Sequence, residues 1–409
     1  MTAADPASPA SPGSRGPAGW ATPGRRRPGW WRAGDPVGRR RFTGIGDLGL
    51  ESGAVLPDVI IGYESFGTLT PARDNAVLIL HALTGDSHVS GPAGPGHRTA
   101  GWWDGLVGPG RPIDTDRWCV LVPNLLGGCQ GSTGPSSPDP DGRAWGSRFP
   151  RLTVRDQVAA ELAWAAAIGI DRWALVIGGS AGGMRALEWA VTRSAAVERL
   201  FVLASTAVTS ADQLAWSTPQ LNAIRSDPAF HGGDYYDRGD GRGPSAGLAV
   251  ARQIAHATYR SADELEQRFG RRSQPGEDPT QGGRYAVQSY LDHHGRKLVD
   301  RFDPNSYLIL TEAMNSHDLG RGRGGVEAAL AMITARTEVA GIDSDRLYPL
   351  DQSERLGAGI PTASGSTVIT SLHGHDGFLL ETEAVGALVT PLLPAKPSAP
   401  RTTEARSVR

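Results

Sequence analysis

The fold class this chain predicts is α/β: a mostly parallel central sheet with helices on both faces and an inserted all-helical cap. Three observations carry that expectation. Residues 76–80, 118–123 and 173–177 are short, nearly unbroken apolar runs, the pattern of parallel strands covered on both faces rather than of a half-exposed sheet. Residues 154–167 place apolar side chains at helical spacing between two of those runs. Residues 209–325 then break the strand rhythm, with helical patches and no core strand.

In chain order, residues 1–41 are rich in Pro, Gly, Ala and Ser, with arginines at 25, 26, 27, 32, 39, 40 and 41. That composition predicts a disordered leader. Trp30 and Trp31 beside the arginines raise a nucleic-acid or acidic-lipid contact, but no folded platform supports one. The core is expected to start at Phe42. Residues 54–63 read as a strand that Pro57 assigns to an edge, followed by strands at 76–80, 118–123, 173–177 and 199–205. The cap, 209–325, carries helical patches at 247–259, 262–269, 285–293 and 306–314, joined by Gly-, Asp- and Pro-rich turns; such an insertion above a sheet covers a site and excludes water. A helix over 326–334, strands at 338–342 and 366–370 and a helix over 378–392 complete the core, which comprises 42–208 and 326–393. Residues 394–409 read as a loose tail.

Bulk composition removes several function classes. The 41 Lys and Arg residues nearly balance 43 Asp and Glu, for a formal charge of -2, so no global field draws the chain to nucleic acid or an anionic membrane. No run reaches the roughly 18 apolar residues of a membrane span, and the N-terminus lacks the apolar core of a signal peptide. The two cysteines, Cys119 and Cys129, are too few for a disulfide scaffold and lack metal-finger spacing. A soluble, cytoplasmic protein is expected, with no nucleic-acid or membrane partner.

The chemistry starts at Ser180, in the turn Gly178-Gly-Ser-Ala-Gly-Gly183 between the strand at 173–177 and a helix. A sharp strand-to-helix turn exposes such a serine over the sheet edge, and small residues let the backbone pass close by. The same glycines also suit a plain turn or a phosphate loop, although their spacing is not that of a dinucleotide fingerprint. Two later strands lead into Asp343-Ser-Asp345 and His373-Gly-His375. In a parallel sheet the carboxyl ends of neighbouring strands share one rim, which brings serine, acid and histidine together in the chain order of α/β-hydrolase catalysis. Asp343 and Asp345 are both candidates; Asp345, at the start of the descent to Pro349, is favoured. His375, in a tight loop, is preferred to His373. Histidine would take the serine proton while the aspartate fixes its tautomer. The backbone amides of Ala181 and Leu83, the latter in the loop after residues 76–80, are the expected oxyanion donors. His81, Asp86 and His88 form no compact ligand cluster and the chemistry needs no metal, so none is assigned. The cysteines are taken as buried or incidental thiols.

Seven segments carry a resemblance: His81-Ala-Leu-Thr-Gly-Asp-Ser-His88, Gly101-Trp-Trp-Asp104, Asn124-Leu-Leu-Gly-Gly-Cys-Gln-Gly-Ser-Thr-Gly-Pro135, residues 178–189, Arg301-Phe-Asp-Pro-Asn-Ser-Tyr307, Asp343-Ser-Asp-Arg-Leu-Tyr-Pro349 and Gly374-His-Asp-Gly-Phe-Leu379. In this order the chain closely resembles the homoserine O-acetyltransferase (MetX-like) family of the α/β-hydrolase superfamily, over roughly residues 42–393. The resemblance implies a ping-pong exchange. Acetyl-CoA acylates Ser180, and the hydroxyl of L-homoserine takes the acetyl group, feeding methionine synthesis with no permanently bound cofactor. It also supports Asp345 and His375 as acid and base, and implies that Arg252 holds the amino-acid carboxylate, Tyr259 sits beside it and Asp376 receives the ammonium. Residues 252 and 259 are seven apart, so on a helix they share a face. Arg225, Arg260 and Arg301 are further cap arginines able to serve that anion. The resemblance implies a homodimer joined through the cap. One departure is local: the family usually has methionine after the nucleophile, where this chain has Ala181. The pocket beside it is then expected to be a few methylenes larger, which keeps succinyl-CoA in view as donor. Serine as acceptor, an esterase or thioesterase, and a non-catalytic scaffold are the other readings.

Overall fold

The computed structural model describes residues 29–239 and 241–393; the expectations for 1–28 and 394–409 lie outside the described residues. Eight strands make one sheet: β1 Arg41–Gly49, β2 Val55–Phe66, β3 Ala76–Leu80, β4 Cys119–Pro123, β5 Leu175–Gly179, β6 Arg199–Leu203, β7 Arg336–Ile342 and β8 Thr367–Ile369. Their spatial order is β1-β2-β4-β3-β5-β6-β7-β8. The pairs β1/β2 and β2/β4 are antiparallel and every later pair is parallel. β3, β4 and β5 are buried at every position, as their unbroken apolar runs require.

Two helices cover one face beside the serine turn. α1 Val154–Ala167 starts at a capping box, in which Thr153 and Asp156 satisfy each other's backbone amides. α2 Ala181–Thr192 follows β5 directly. Trp164, Trp173 and Trp189 pack in series behind them, at ring-centroid distances of 6.1 and 6.0 Å. Between β6 and β7 the chain forms α3 Ala211–Arg225, α4 Ser245–Tyr259, α5 Ala262–Arg268, α6 Ala286–Val299, α7 Pro304–Asn315 and α8 Val326–Leu330. α9 Leu350–Gly359, α10 Gly377–Leu380 and α11 Thr382–Val389 complete the described helices.

Four local expectations differ from the structure. β2 is not an edge: it pairs with β1 across Val55–Tyr63 and with β4 across Tyr63–Phe66. Pro57 is tolerated because it lies in the half that β4 does not reach, where the register with β1 shifts, so its missing N–H costs no ladder bond. Packed structure begins before Phe42. Trp30 is 3% exposed, clusters with Leu298, Phe302 and Tyr307 and meets Tyr236 edge-on, while Arg40 bonds the Gly96 carbonyl and Gln130. α3 lies outside the expected helical patches; it runs unbroken through Pro219, and Ser210 and Gln213 form a capping box at its start. The last helix is broken rather than continuous, at Glu381 and again before Pro391.

Candidate active site

Ser180 lies between β5 and α2 with φ 56° and ψ -126°, a left-handed conformation that costs a non-glycine residue of order 1–3 kcal/mol. The surroundings hold it there. Its amide donates to the Leu203 carbonyl and its carbonyl accepts from Ser205 Oγ at 2.8 Å. A Cβ at Gly182 would stand 1.9 Å from the Leu80 carbonyl oxygen, and one at Gly178 would stand 2.2 Å from that of Gly182. The turn therefore closes only with glycine at both places.

His375 sits in a helical turn, Gly374–Asp376, after β8. Its Nε2 is 2.9 Å from Ser180 Oγ and its Nδ1 2.6 Å from Asp345 Oδ2. Asp345, just after β7, uses Oδ1 to accept the amides of Leu347 and Tyr348 at 2.8 and 2.9 Å. With Nδ1–H donating to the carboxylate, the Nε2 lone pair faces the serine hydroxyl, as a general base requires. Tyr348 stacks on the imidazole at 4.9 Å and 24°, so the ring cannot turn freely. All three side chains are buried. Asp343 instead accepts the Ser371 amide and braces the β7 and β8 loops, and His373 turns toward Glu264 at 3.4 Å.

The Ala181 amide opens α2, and Leu83 lies in the loop after β3. Among the described residues neither amide donates to a protein acceptor, which leaves both for a developing oxyanion. Sequence reasoning missed what shapes that loop. His81 Nδ1 donates to the Ala82 carbonyl while Nε2 accepts the Leu125 amide; burial, then the charge of Arg185, pushes its pKa down to about 3. Arg185, fully buried on α2, bonds the His81 carbonyl and pairs with Glu161, which also accepts Trp189 Nε1 at 2.7 Å. One signal was legible: an arginine amid the apolar residues of 184–191 needs a buried acid. Ala181 is 6% exposed and packs in a cluster with Leu83, Leu125 and Leu308.

A cavity of about 290 Å³ is lined among others by Thr84, Arg252, Lys297, Arg301 and Asp376, the last directly after His375 in the chain. Arg252 approaches Thr84 Oγ1 at 3.5 Å and lies 5.3 Å above the Tyr259 ring; that ring is 5.9 Å from His375. Tyr259 also lines a second, smaller cavity with Leu83 and Tyr348. Asp376 is not unaccompanied: Arg260 Nη2 lies 3.0 Å from its Oδ2. Burial raises the Asp376 pKa above the usual carboxylate value, against the pull of Arg260 and Arg252. Arg225 is committed to Glu312. A larger cavity, about 550 Å³, is lined by Trp31, Asp58 and Trp145 and contains none of the residues foreseen for the site.

Of His81, Asp86 and His88, only His88 joins a compact set, and with partners the sequence did not suggest. Glu64, His88 and His97 bring one ligand atom each within 4.8 Å of the others. The set is already bonded internally: His88 Nδ1 to Glu64 at 3.2 Å, Ser87 Oγ to Glu64 at 2.8 Å and the Arg39 amide to His97 Nε2 at 3.3 Å. The imidazoles stack in parallel at 3.9 Å and 9°, so their in-plane lone pairs do not converge on one point. The arrangement reads as a buried hydrogen-bond cluster.

The strand order and the serine between β5 and α2 define the class, an α/β-hydrolase with acyl-transfer machinery, and the family profile described as alpha/beta hydrolase fold matches residues 75–382. Within that class the chain belongs to the homoserine O-acetyltransferase family. It is 60% identical over 373 residues to the homoserine O-acetyltransferase of Thermobifida fusca (strain YX), spanning 91% of this chain and 98% of that protein. The solved homoserine O-acetyltransferase of Bacillus anthracis superposes with a TM-score of 0.79 at 26% identity, over 88% of this chain and 98% of the other. Esterase E22 superposes at 0.78 and 26% identity, over 87% and 99%. Among the described residues no helix is long and apolar enough to cross a membrane.

Proposed function

We infer that the protein transfers the acetyl group of acetyl-CoA to the side-chain hydroxyl of L-homoserine, a step toward methionine. His375 takes the Ser180 proton as Oγ attacks the thioester carbonyl, and the oxyanion is met by the amides of Leu83 and Ala181. The C–S bond breaks and the proton passes from His375 to the departing CoA sulfur. Homoserine then enters. Arg252 takes its carboxylate and Asp376 its ammonium, His375 deprotonates its hydroxyl, and attack on acetyl-Ser180 releases O-acetylhomoserine and restores the serine proton. The observation that carries this reading is a buried Ser180–His375–Asp345 chain beside a cavity presenting Arg252 and Asp376 together, a fork for a carboxylate and an acceptor for an amine.

Mass spectrometry of the intact protein tests it. Acetyl-CoA alone should leave one acetyl group on Ser180, and homoserine should remove it. No adduct overturns the covalent route; rapid CoA release without acceptor makes the protein a thioesterase, the chemistry closest to its esterase-like neighbour. Succinyl-CoA and serine, run in parallel, decide donor and acceptor. Family membership further supports a cytoplasmic homodimer joined through the cap helices, which sedimentation of the purified chain checks.

A further inference from the structure

The charge lining the 290 Å³ cavity exceeds what the acceptor needs. Four basic side chains, Arg252, Arg260, Lys297 and Arg301, face two acidic ones, Asp86 and Asp376. Homoserine is a zwitterion and brings no net charge; it uses one cation and one anion and leaves the surplus standing. Arg260 is occupied by Asp376 and Glu264. Arg252, Lys297 and Arg301 pair with no carboxylate among the described residues. Like charges gathered on one wall repel and cost stability unless a ligand compensates them. His294, on the same wall, has its pKa lowered to about 4 by burial and then by Arg252, His293, Lys297 and Arg260. Lys297, in the last turn of α6, is exposed, while Arg301, just past the end of that helix, and Arg252, next to Thr84 in the loop after β3, are both partly buried.

The geometry points to Lys297 and Arg301 as the donor-side anion subsite, holding the phosphate groups of acetyl-CoA at the cavity mouth while the thioester reaches Ser180. This rests on the acetyl-CoA reading above. It assigns the two cations to the half of the substrate that leaves, not to the amino acid. An arginine fork and a mobile lysine are the usual pair for phosphate oxygens.

The test compares acetyl-CoA with acetyl-pantetheine, which carries the same thioester and no phosphate. In Lys297→Ala and, separately, Arg301→Lys and Arg301→Gln, KM for acetyl-CoA should rise roughly three- to tenfold, the scale of one charge-assisted bond partly exposed to water. Arg301→Lys should retain more than Arg301→Gln. Acetyl-pantetheine kinetics and KM for homoserine should not follow, and added salt should weaken acetyl-CoA binding in the parent protein more than in the variants. Equal losses on both donors, an unchanged KM for acetyl-CoA, or a rise confined to homoserine would each overturn the assignment. Lys297 is exposed, so its replacement tests the idea even if Arg301→Gln fails to fold. Each of those results leaves acetyl-Ser180 formation intact, whereas failure of the transferase reading is absence of the adduct from either donor in the parent protein.

Discussion

Arg260 Nη2 stands 3.0 Å from Asp376 Oδ2, so the carboxylate assigned to the acceptor's ammonium is already held by a guanidinium, one residue from His375. The pair orients Asp376 toward the cavity and keeps a charge on it against burial. Asp376→Asn should therefore strike only the second half of the reaction. Steady-state kcat/KM for homoserine is expected to fall roughly 10- to 100-fold, the cost of a lost charge-assisted bond. The rate of Ser180 acetylation, read by stopped CoA release, should stay near that of the parent protein.

The same carboxyl gives a pH dependence. Burial raises its pKa although Arg260 and Arg252 oppose the shift, so it takes up a proton at a higher pH than a free aspartate. The ammonium of homoserine needs the ionised form. KM for homoserine should then rise as pH falls through that raised value, above the usual carboxylate range near 4. In Asp376→Asn this limb should vanish; if it persists, another group sets the acceptor's affinity.

Asp345 has a narrower task. Its Oδ2 receives His375 Nδ1–H at 2.6 Å, and two backbone amides fix its Oδ1. An amide in its place can present N–H to Nδ1 and turn the imidazole into the wrong tautomer. Asp345→Asn should leave the fold and KM largely intact and lower kcat by about 10⁴, the scale seen when a triad acid is so replaced. Ser180→Ala should abolish the acetyl-enzyme altogether. A loss of similar size in Asp343→Asn would mean the wrong acid has been chosen, since the Asp343 carboxylate accepts the Ser371 amide and, among the described residues, makes no bond to His375.

What was legible in the sequence was whatever depends on local pattern. Continuous apolar runs gave β3, β4 and β5, and glycine spacing gave the serine turn, because both are fixed by neighbours a few residues away. Trp30 was misread since its value lies in Phe302 and Tyr307, some 270 residues on, and composition counts Pro, Gly and Arg without knowing what a tryptophan will meet. Pro57 misleads because β2 pairs with β1 along Val55–Tyr63 and with β4 only along Tyr63–Phe66, so the half that holds Pro57 carries a ladder on one side alone. Asp376 was foreseen through its family motif, but Arg260 as its partner was not: the two are brought together only by the docking of α4 and α5 onto the β8 loop.

The turn itself sets a limit on substitution. A methyl group at Gly182 would occupy the position of the Leu80 carbonyl oxygen, 1.9 Å away, and backbone on both sides cannot yield. Gly182→Ala should destabilise the protein by about 2–3 kcal/mol or more, read as a lower Tm, and should depress kcat beyond that by moving the Ala181 amide. A Tm equal to that of the parent protein would show that α2 and β3 do not pack as closely as described.

His81 couples the loop after β3 to acid stability. Its folded-state pKa is near 3, against about 6.5 for a free histidine. Between those values the unfolded chain binds a proton that the folded protein refuses, so stability rises with pH across the window and drains away as pH falls from about 6.5 toward 3. His317, lowered by burial to about 4, acts with the same sign. His81→Gln removes one titrating group while keeping an amide able to bond near Ala82 and Leu125. Its Tm should be lower at pH 7, where two well-aligned bonds are replaced, yet should decline less steeply down to pH 4 than that of the parent protein. Activity should fall at every pH, because the Leu83 amide depends on the loop that His81 pins. Parallel Tm profiles for the two proteins would show that His81 is not the group whose protonation opens the fold.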